Sequence, residues 1–413
     1  MQKRNLLDSV TIPLERELRE KIHNALQGDI VELLSDITEP SKAPFYLQGC
    51  KDGRAFKIEK GFFKKYYNLC EEVKKSLNFK EDVDVYIVSN PEVNAFAILR
   101  ASEDHPHTII LNHSLVQMMT DDELKFAIGH EIGHLIKRDS RLNQLIDFVY
   151  PKDTKMPPSL TYKVSLWHQL SELECDRFGF LAMPKLSVCV SALFKLTTGF
   201  DLEKMEMNID EFLSQIPNNL EYLFNDDFEL EGSHPVNPIR IGALQIFSKK
   251  CASDKATVGY FDNMMNVLIG EMTNISSSPL EKDLVKFFAI GGLRMISLKE
   301  EFQEEEYKVI ISELSEFILN PKEYLEEIAN DDDIFDTLQN VIDDILEVEP
   351  DLRDLMLEYL IRIALADKKI ESIEVDTIME LGESMLGFSR EEIAKSFANH
   401  IQKSFSPDIL ALV

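Results

Sequence analysis

Positive charge is in short supply in this chain: 44 Lys and Arg stand against 73 Asp and Glu, a formal net charge of −29 at pH 7. Nucleic-acid binding draws on clustered Lys and Arg that displace counterions from phosphate, so no nucleic-acid partner is expected. Docking on an anionic membrane surface is disfavoured on the same ground. Cysteine is sparse too: Cys50, Cys70, Cys175, Cys189 and Cys251 are widely spaced, odd in number and without a Cys-x-x-Cys pair. Neither a disulfide framework nor a thiolate zinc site is expected, and a reducing compartment fits. Long apolar runs are missing. Residues 1–8 lack the apolar core of a signal peptide, and residues 186–196, the most apolar later segment, fall short of the roughly 20 needed to span a bilayer. A soluble, cytoplasmic protein without membrane insertion is the expectation. There is one Trp against 25 Phe, so Phe- and Leu-rich cores are expected, and 413 residues suit two or three domains.

In residues 14–34, Leu14, Leu18, Ile22, Ala25 and Leu26 recur at three- and four-residue steps, which predicts helix. Pro40, Pro44, Gly49 and Gly53 then interrupt it. Residues 61–80 read as an amphipathic helix, and three short strand-like runs follow at 83–88, 94–99 and 108–111. Thr120 with Glu123 three residues on predicts a capping box. That helix should run to Lys137 and Arg138, whose charge suits a helix C-terminus. Another helix is expected over 166–183, ended by Pro184. From about residue 256 the pattern is helical, acidic and poor in Gly. Within it residues 292–310 align with 360–378, pairing Phe302 with Ile370, Glu306 with Glu374 and Ile310 with Ile378. Such self-similarity suggests two similar helical hairpins.

His130-Glu131-Ile132-Gly133-His134 lies on the capped helix. Histidines at i and i+4 project from one face and can bind one Zn²⁺. Glu131, beside the metal rather than on it, suits a general base acting on water. Gly129 and Gly133 each cost the helix about 1 kcal/mol relative to Ala, so a reason is needed; room near the metal and close packing are both candidates. A catalytic zinc takes a third protein ligand. Glu172, Glu174 and Asp176 are on offer; Glu172 and Asp176 share a helix face, and Glu174 reads as solvated. Glu172 as ligand would leave Asp176 to hold the N–H of a liganding His.

His130-Glu131-x-x-His134 followed by Glu172-x-x-Cys175-Asp176 resembles metallopeptidase family forty-eight, the HtpX and CaaX prenyl protease type. The resemblance covers about residues 61–250. It implies Glu172 as third ligand and Asp176 as its acidic neighbour in the outer shell, with Cys175 where the family has Ala. Asn94-Ala95-Phe96-Ala97 resembles the family's substrate-binding edge strand. Ser233-His234-Pro235 with Arg240 resembles its His-Pro…Arg element, which implies that His234 stabilises the oxyanion or gates the metal and that Arg240 orients substrate or Glu172. The chain departs from many members in having no apolar run long enough to cross a membrane. Residues 285–400 resemble the tellurite-resistance TerB-like helical domain through Ile363-Ala364-x-Ala366-Asp367-x-x-Ile370-x-x-x-Glu374. Residues 287–321 would be a degenerate copy, with Lys299 where Asp367 stands. Asp367, Glu371 and Glu374 are either cation ligands or, more simply, a solvated helix end.

The expected fold is α+β, mostly α: a helical lead-in over 1–60, a zincin peptidase domain with a small sheet and an active-site helix pair over 61–255, and an acidic all-helical domain over 256–413. The expected activity is that of a zinc metalloendopeptidase with one Zn²⁺ per chain, acting on peptide or unfolded protein. A possible protein partner is assigned to the helical domain. The rival reading is a catalytically silent or conditionally activated metal-binding sensor or scaffold; an intact Glu131 counts against it.

Overall fold

The computed structural model describes residues 3–38, 55–100, 103–201, 204–206, 208–225, 234–254, 257–275, 278–299, 303–330, 334–367 and 369–405. Pro40, Pro44, Gly49, Gly53, Ser233 and Phe302 lie outside them. The fold is mostly helical with one small mixed sheet, as expected for an α+β protein rich in α, and it divides into two compact units, Met1–Ser276 and Ser277–Val413. Among the described residues no helix is long and apolar enough to cross a membrane.

The first unit begins with α1 (Lys3–Val10), α2 (Pro13–Ala25) and α3 (Gly28–Thr38), so the periodicity of residues 14–34 is shared between two helices. A three-residue strand not foreseen from the sequence, β1 (Ala55–Lys57), precedes α4 (Lys64–Ser76). β2 (Val83–Val88), β3 (Ala95–Ile98) and β4 (His107–Asn112) complete a sheet ordered β1-β2-β4-β3. The central β2/β4 pair is parallel, and both outer strands are antiparallel to it. All six residues of β4 are buried, as befits a central strand covered on both faces. The register puts Val85, Ile109, Leu111 and Ala95 against the helices. Val88, Ile110, Phe96 and Ile98 line the other face. β3 is thereby an edge strand.

The short α5 (His113–Met118) leads into α6 (Asp121–Lys137), the helix of the paired histidines. Its capping box forms as predicted: Glu123 N donates to the Thr120 hydroxyl at 3.3 Å and Thr120 N donates to Glu123 Oε2 at 2.7 Å. Lys195 Nζ adds a 2.9 Å bond to that carboxylate, tying the helix start to α9 (Leu186–Thr198). Arg138, in the left-handed region at φ 58°, ends α6, and α7 (Asp139–Val149) starts at the next residue. α8 (Pro158–Ala182) begins eight residues before its expected start at 166, on a Pro at its first position. α10 (Ile209–Asn225), α11 (Asn237–Ala252) and α12 (Val258–Ile275) follow, and α12 belongs to this first unit.

The second unit holds α13 (Pro279–Ile296), α14 (Glu304–Leu314), α15 (Pro321–Ala329), α16 (Leu338–Val348), α17 (Leu352–Ala364), α18 (Ser372–Ser384) and α19 (Arg390–Phe405). Its core is mostly Leu and Ile, with Phe287, Phe288 and Tyr359 in edge-on or tilted contact. Ile310 and Ile378, which the internal alignment pairs, are both fully buried. Lys299 and Asp367, which it also pairs, meet: Lys299 Nζ lies 3.1 Å from Asp367 Oδ2 and 3.1 Å from Glu374 Oε1, and it also donates to Glu306. All four side chains are covered. Neither reading of the acidic residues therefore holds for Asp367 and Glu374, because an internal ammonium group sits between them. Glu371 remains exposed and caps α18, its N–H donating to Glu374 Oε2 at 2.7 Å.

Candidate metal centre

α6 and α8 pack at very short range, and glycine is the reason they can. A Cβ on Gly129 would lie 2.6 Å from the Ala182 Cβ and 3.1 Å from the Gly179 backbone. One on Gly133 would lie 2.9 Å from the Phe178 ring, and one on Gly179 would lie 2.7 Å from the Phe126 ring. The glycines of the motif thus serve helix contact; room at the metal is not what they provide. Gly129→Ala gains about 1 kcal/mol of helix propensity but forces two backbones apart, at roughly 1–3 kcal/mol for overpacking. A net loss of stability of about 1 kcal/mol is expected in urea unfolding.

This contact brings His130 and His134 of α6 to Glu172 of α8. The two Nε2 atoms are 3.2 Å apart. Glu172 Oε2 is 3.4 Å from His130 Nε2, and Oε1 is 3.4 Å from His134 Nε2. Each ring is held from behind by a carboxylate: Asp176 Oδ1 is 3.0 Å from His130 Nδ1, and Asp139 Oδ2 is 2.9 Å from His134 Nδ1. With the Nδ1 protons facing those carboxylates, both Nε2 lone pairs face Glu172 and each other. Three electron-pair donors so disposed, with the buried Glu172 Oε2 lacking a hydrogen bond, are what a cation satisfies. The donor set of two imidazoles and a carboxylate suits zinc.

The electrostatics agree. Burial opposes charging of His130, but the carboxylates of Asp176 and Glu172 outweigh it and carry the imidazole up to about 9. His134 is likewise raised against burial. Glu172, despite burial, is held well below the usual carboxylate range by the two imidazoles. The centre thus demands positive charge. Cys175 Sγ lies 3.4 Å from His134 Nδ1, but burial pushes its thiol up to about 12, so it stays protonated.

Glu131, one residue on from His130, is buried. Burial raises its pKa, against the lowering effect of His134 and His130, and the Ala97 amide of β3 donates to it. Arg240 of α11 grips Asp176 with two bonds, Nε to Oδ2 at 2.8 Å and Nη2 to Oδ1 at 2.7 Å, and lies 3.7 Å from Glu172 Oε2. His234 Nε2 is 3.6 Å from Glu172 Oε1, with 61% of the side chain exposed. A cleft of about 1090 Å³ joins these groups to Asn94, Ala95 and Phe96. Of the residues singled out in the sequence, Asn94, Ala95, Phe96, His130, Glu131, His134, Glu172, His234 and Arg240 line this cleft, and Asp176 stands behind it, held by His130 and Arg240.

Two features were missed. Asp139 lies immediately beyond the break at Arg138; an acidic residue opening the next helix was the available signal. Glu174, expected on a solvated face, is instead buried, accepting from the Ile12 amide at 2.5 Å and pairing with Lys137 Nζ at 2.7 Å. The N-terminal helices cover that face, which local spacing does not reveal.

Residues 64–152 match the profile of Peptidase family M48. The chain is 30% identical over 171 residues to the plastoglobule-localized metallopeptidase 48, chloroplastic, of Arabidopsis thaliana, covering 40% of this chain and 48% of that protein. It is 40% identical over 76 residues to protease HtpX homolog 2 of Sulfurisphaera tokodaii, covering 18% and 22% respectively. It is 33% identical over 84 residues to the protease HtpX homolog of Caldanaerobacter subterraneus subsp. tengcongensis, covering 20% and 27%. The matches span about half or less of the length of these relatives. No solved structure matches. The segment that holds His130, Glu131 and His134 is thus similar to Peptidase family M48, and the relatives it matches are metallopeptidases and HtpX-type proteases by name.

Proposed function

We propose that this chain is a zinc-dependent metalloendopeptidase with a zincin-type catalytic unit. The observation that carries it is the convergence of His130 Nε2, His134 Nε2 and the Glu172 carboxylate, each imidazole backed by its own carboxylate. Zinc on these three groups would supply Lewis acidity and a field that eases deprotonation of water. Glu131 takes the proton from the attacking water and delivers it to the leaving amine; its buried, raised carboxyl suits a group that must both accept and give. β3 offers its open edge at Asn94, Ala95 and Phe96 to an extended peptide, whose backbone pairs as an added strand. Recognition led by backbone gives broad sequence tolerance, so unfolded protein is the substrate class. His234, on the cleft rim, steadies the oxyanion. Arg240 acts through Asp176 and so fixes His130. Among the described residues four cysteines are free and three of these are buried, Cys50 lying outside the described residues, which supports a reducing, cytoplasmic setting. The helical unit, by its TerB-like pattern, is assigned to a protein partner.

The test is zinc content together with casein cleavage. Wild type is expected to hold one zinc per chain and to lose cleavage with a zinc chelator, regaining it on zinc addition. Glu172→Ala should weaken zinc by more than the roughly 10–100-fold typical of an outer-shell loss. Glu174→Ala should keep its zinc and lose stability instead. Wild type without zinc, or equal zinc in both variants, defeats the assignment.

A further inference from the structure

The N-terminal helices lie outside residues 64–152, yet they close the outer side of the metal centre. Asp139 has two oxygens to satisfy. Oδ2 receives His134 Nδ1 at 2.9 Å and the Ser171 hydroxyl at 2.5 Å. Oδ1 receives the Arg19 guanidinium, from a residue of α2 remote in sequence. Lys137, the nearest other cation, stands 4.0 Å from that oxygen and is already engaged, with Ser171 Oγ at 2.9 Å, Glu174 Oε2 at 2.7 Å and Glu15 Oε1 at 3.1 Å.

Arg19, with 24% of its side chain exposed, is itself held by several partners. Its Nε and Nη2 donate to Glu15 Oε1 at 3.2 and 2.8 Å, and Nη1 reaches the Lys137 carbonyl at 3.4 Å. The guanidinium stacks over Trp167 at 5.2 Å, and the Trp167 Nε1 donates to the same Glu15 oxygen at 2.9 Å. Below it, Leu18 and Ile22 of α2 are buried with Trp167 and Leu170 of α8. A planar fork held this way has little freedom left to lose, so it can hold Asp139 at a set angle.

We infer that Arg19 is a positioning residue of the metal centre: through Asp139 it fixes the ring of His134, and α2 is in this sense part of the metal-binding apparatus. The inference rests on the reading of His134 as a ligand. Without Arg19 the Asp139 carboxylate keeps the bonds on Oδ2 but, at Oδ1, only the 4.0 Å approach of Lys137, and it can swing about the Oδ2 bonds. The ring it orients then samples poses in which Nε2 no longer faces His130 and Glu172.

The experiment uses the full chain as wild type, Arg19→Met, Arg19→Lys, Asp139→Asn and the Arg19→Met/Asp139→Asn pair. Zinc dissociation constants are read by competition with a chromophoric chelator well below the unfolding temperature. Thermal midpoints are taken with and without zinc. Arg19→Met should weaken zinc about 10–100-fold. Arg19→Lys, which keeps the charge but not the fork, should fall between it and wild type. In the Asp139→Asn background Arg19→Met should add little, because the path is already cut. A purely structural clamp would lower both midpoints alike and leave the zinc constant unchanged in Arg19→Met and Arg19→Lys; that result overturns the inference. So does a full additive loss in the double variant, which would place the effect outside Asp139. Wild type that binds no zinc overturns the metal-centre reading itself, a different outcome from tight zinc in every Arg19 variant.

Discussion

Glu131→Gln is expected to lower kcat for unfolded substrate by roughly 10²–10⁴-fold, the contribution of a positioned proton-transfer group, with zinc content unchanged. Gln keeps the shape and an oxygen for the Ala97 amide, so the link between α6 and β3 survives. What it loses is the ability to take a proton. Glu131 is not among the three groups that converge on the metal position, which is why metal should stay. The measurement pairs zinc analysis with initial rates on casein. Zinc loss in this variant, or cleavage within threefold of wild type, would contradict the role given to Glu131.

Lys299→Met is expected to destabilise the helical unit by about 3 kcal/mol, near the lower end of the cost of removing one partner from a buried ion pair. It leaves Glu306, Asp367 and Glu374 facing one another with no cation among them. The lower end is chosen because Lys369 and Ile370, beside the cluster, are exposed. For a unit of this size the thermal midpoint should fall on the order of 10 °C. The sign of the pH effect follows from linkage. In wild type, burial works against the charged form of Asp367, but the Lys369 amide and Lys299 hold its pKa down. Its contribution is therefore present above the unfolded carboxylate pKa and lost as pH falls below it. Burial already raises Glu306 in wild type, against the lowering effect of Lys299; without Lys299 the crowded carboxylates are raised further, so their penalty fades as pH falls through those raised values. The gap between wild type and variant should thus narrow on acidification; a gap that is constant or widens from pH 7 to pH 4 contradicts the cluster's role.

Much of the first unit could be read from residue patterns because its signals are local. The Thr120–Glu123 box, the three strand runs and the i, i+4 histidines each declare themselves within a few residues. What escaped depends on distant segments. α8 was foreseen only from residue 166, because its first turns carry polar and aromatic side chains such as Lys163 that are buried by tertiary contact. A helix covered on nearly all sides shows no amphipathic stripe. Glu174 and Lys137 form a buried pair that only the docking of α1 and α2 creates. The glycines at 129 and 133 gave a correct sense that something needed space, but the claimant was Phe178 and Ala182 rather than the metal. In the helical unit the aligned positions 299 and 367 hinted at a shared place in two hairpins; only the fold shows that the basic residue of one serves the acidic residue of the other.

The docking of α2 on α8 also sets an order of events during synthesis. Trp167 is made 152 residues after the Glu15 that receives its indole N–H, and Glu174 162 residues after the Ile12 amide it accepts. Contacts that close so long a loop form late, because chain entropy must be overcome before they give anything back. α2 therefore cannot cover Leu18 and Ile22 against Trp167 and Leu170 until the sheet, α6 and α8 have all been made. Only once α8 has been made can the first-made helix find its place, and the group of His130, His134 and Glu172 is complete only then, rather than when its histidines appear.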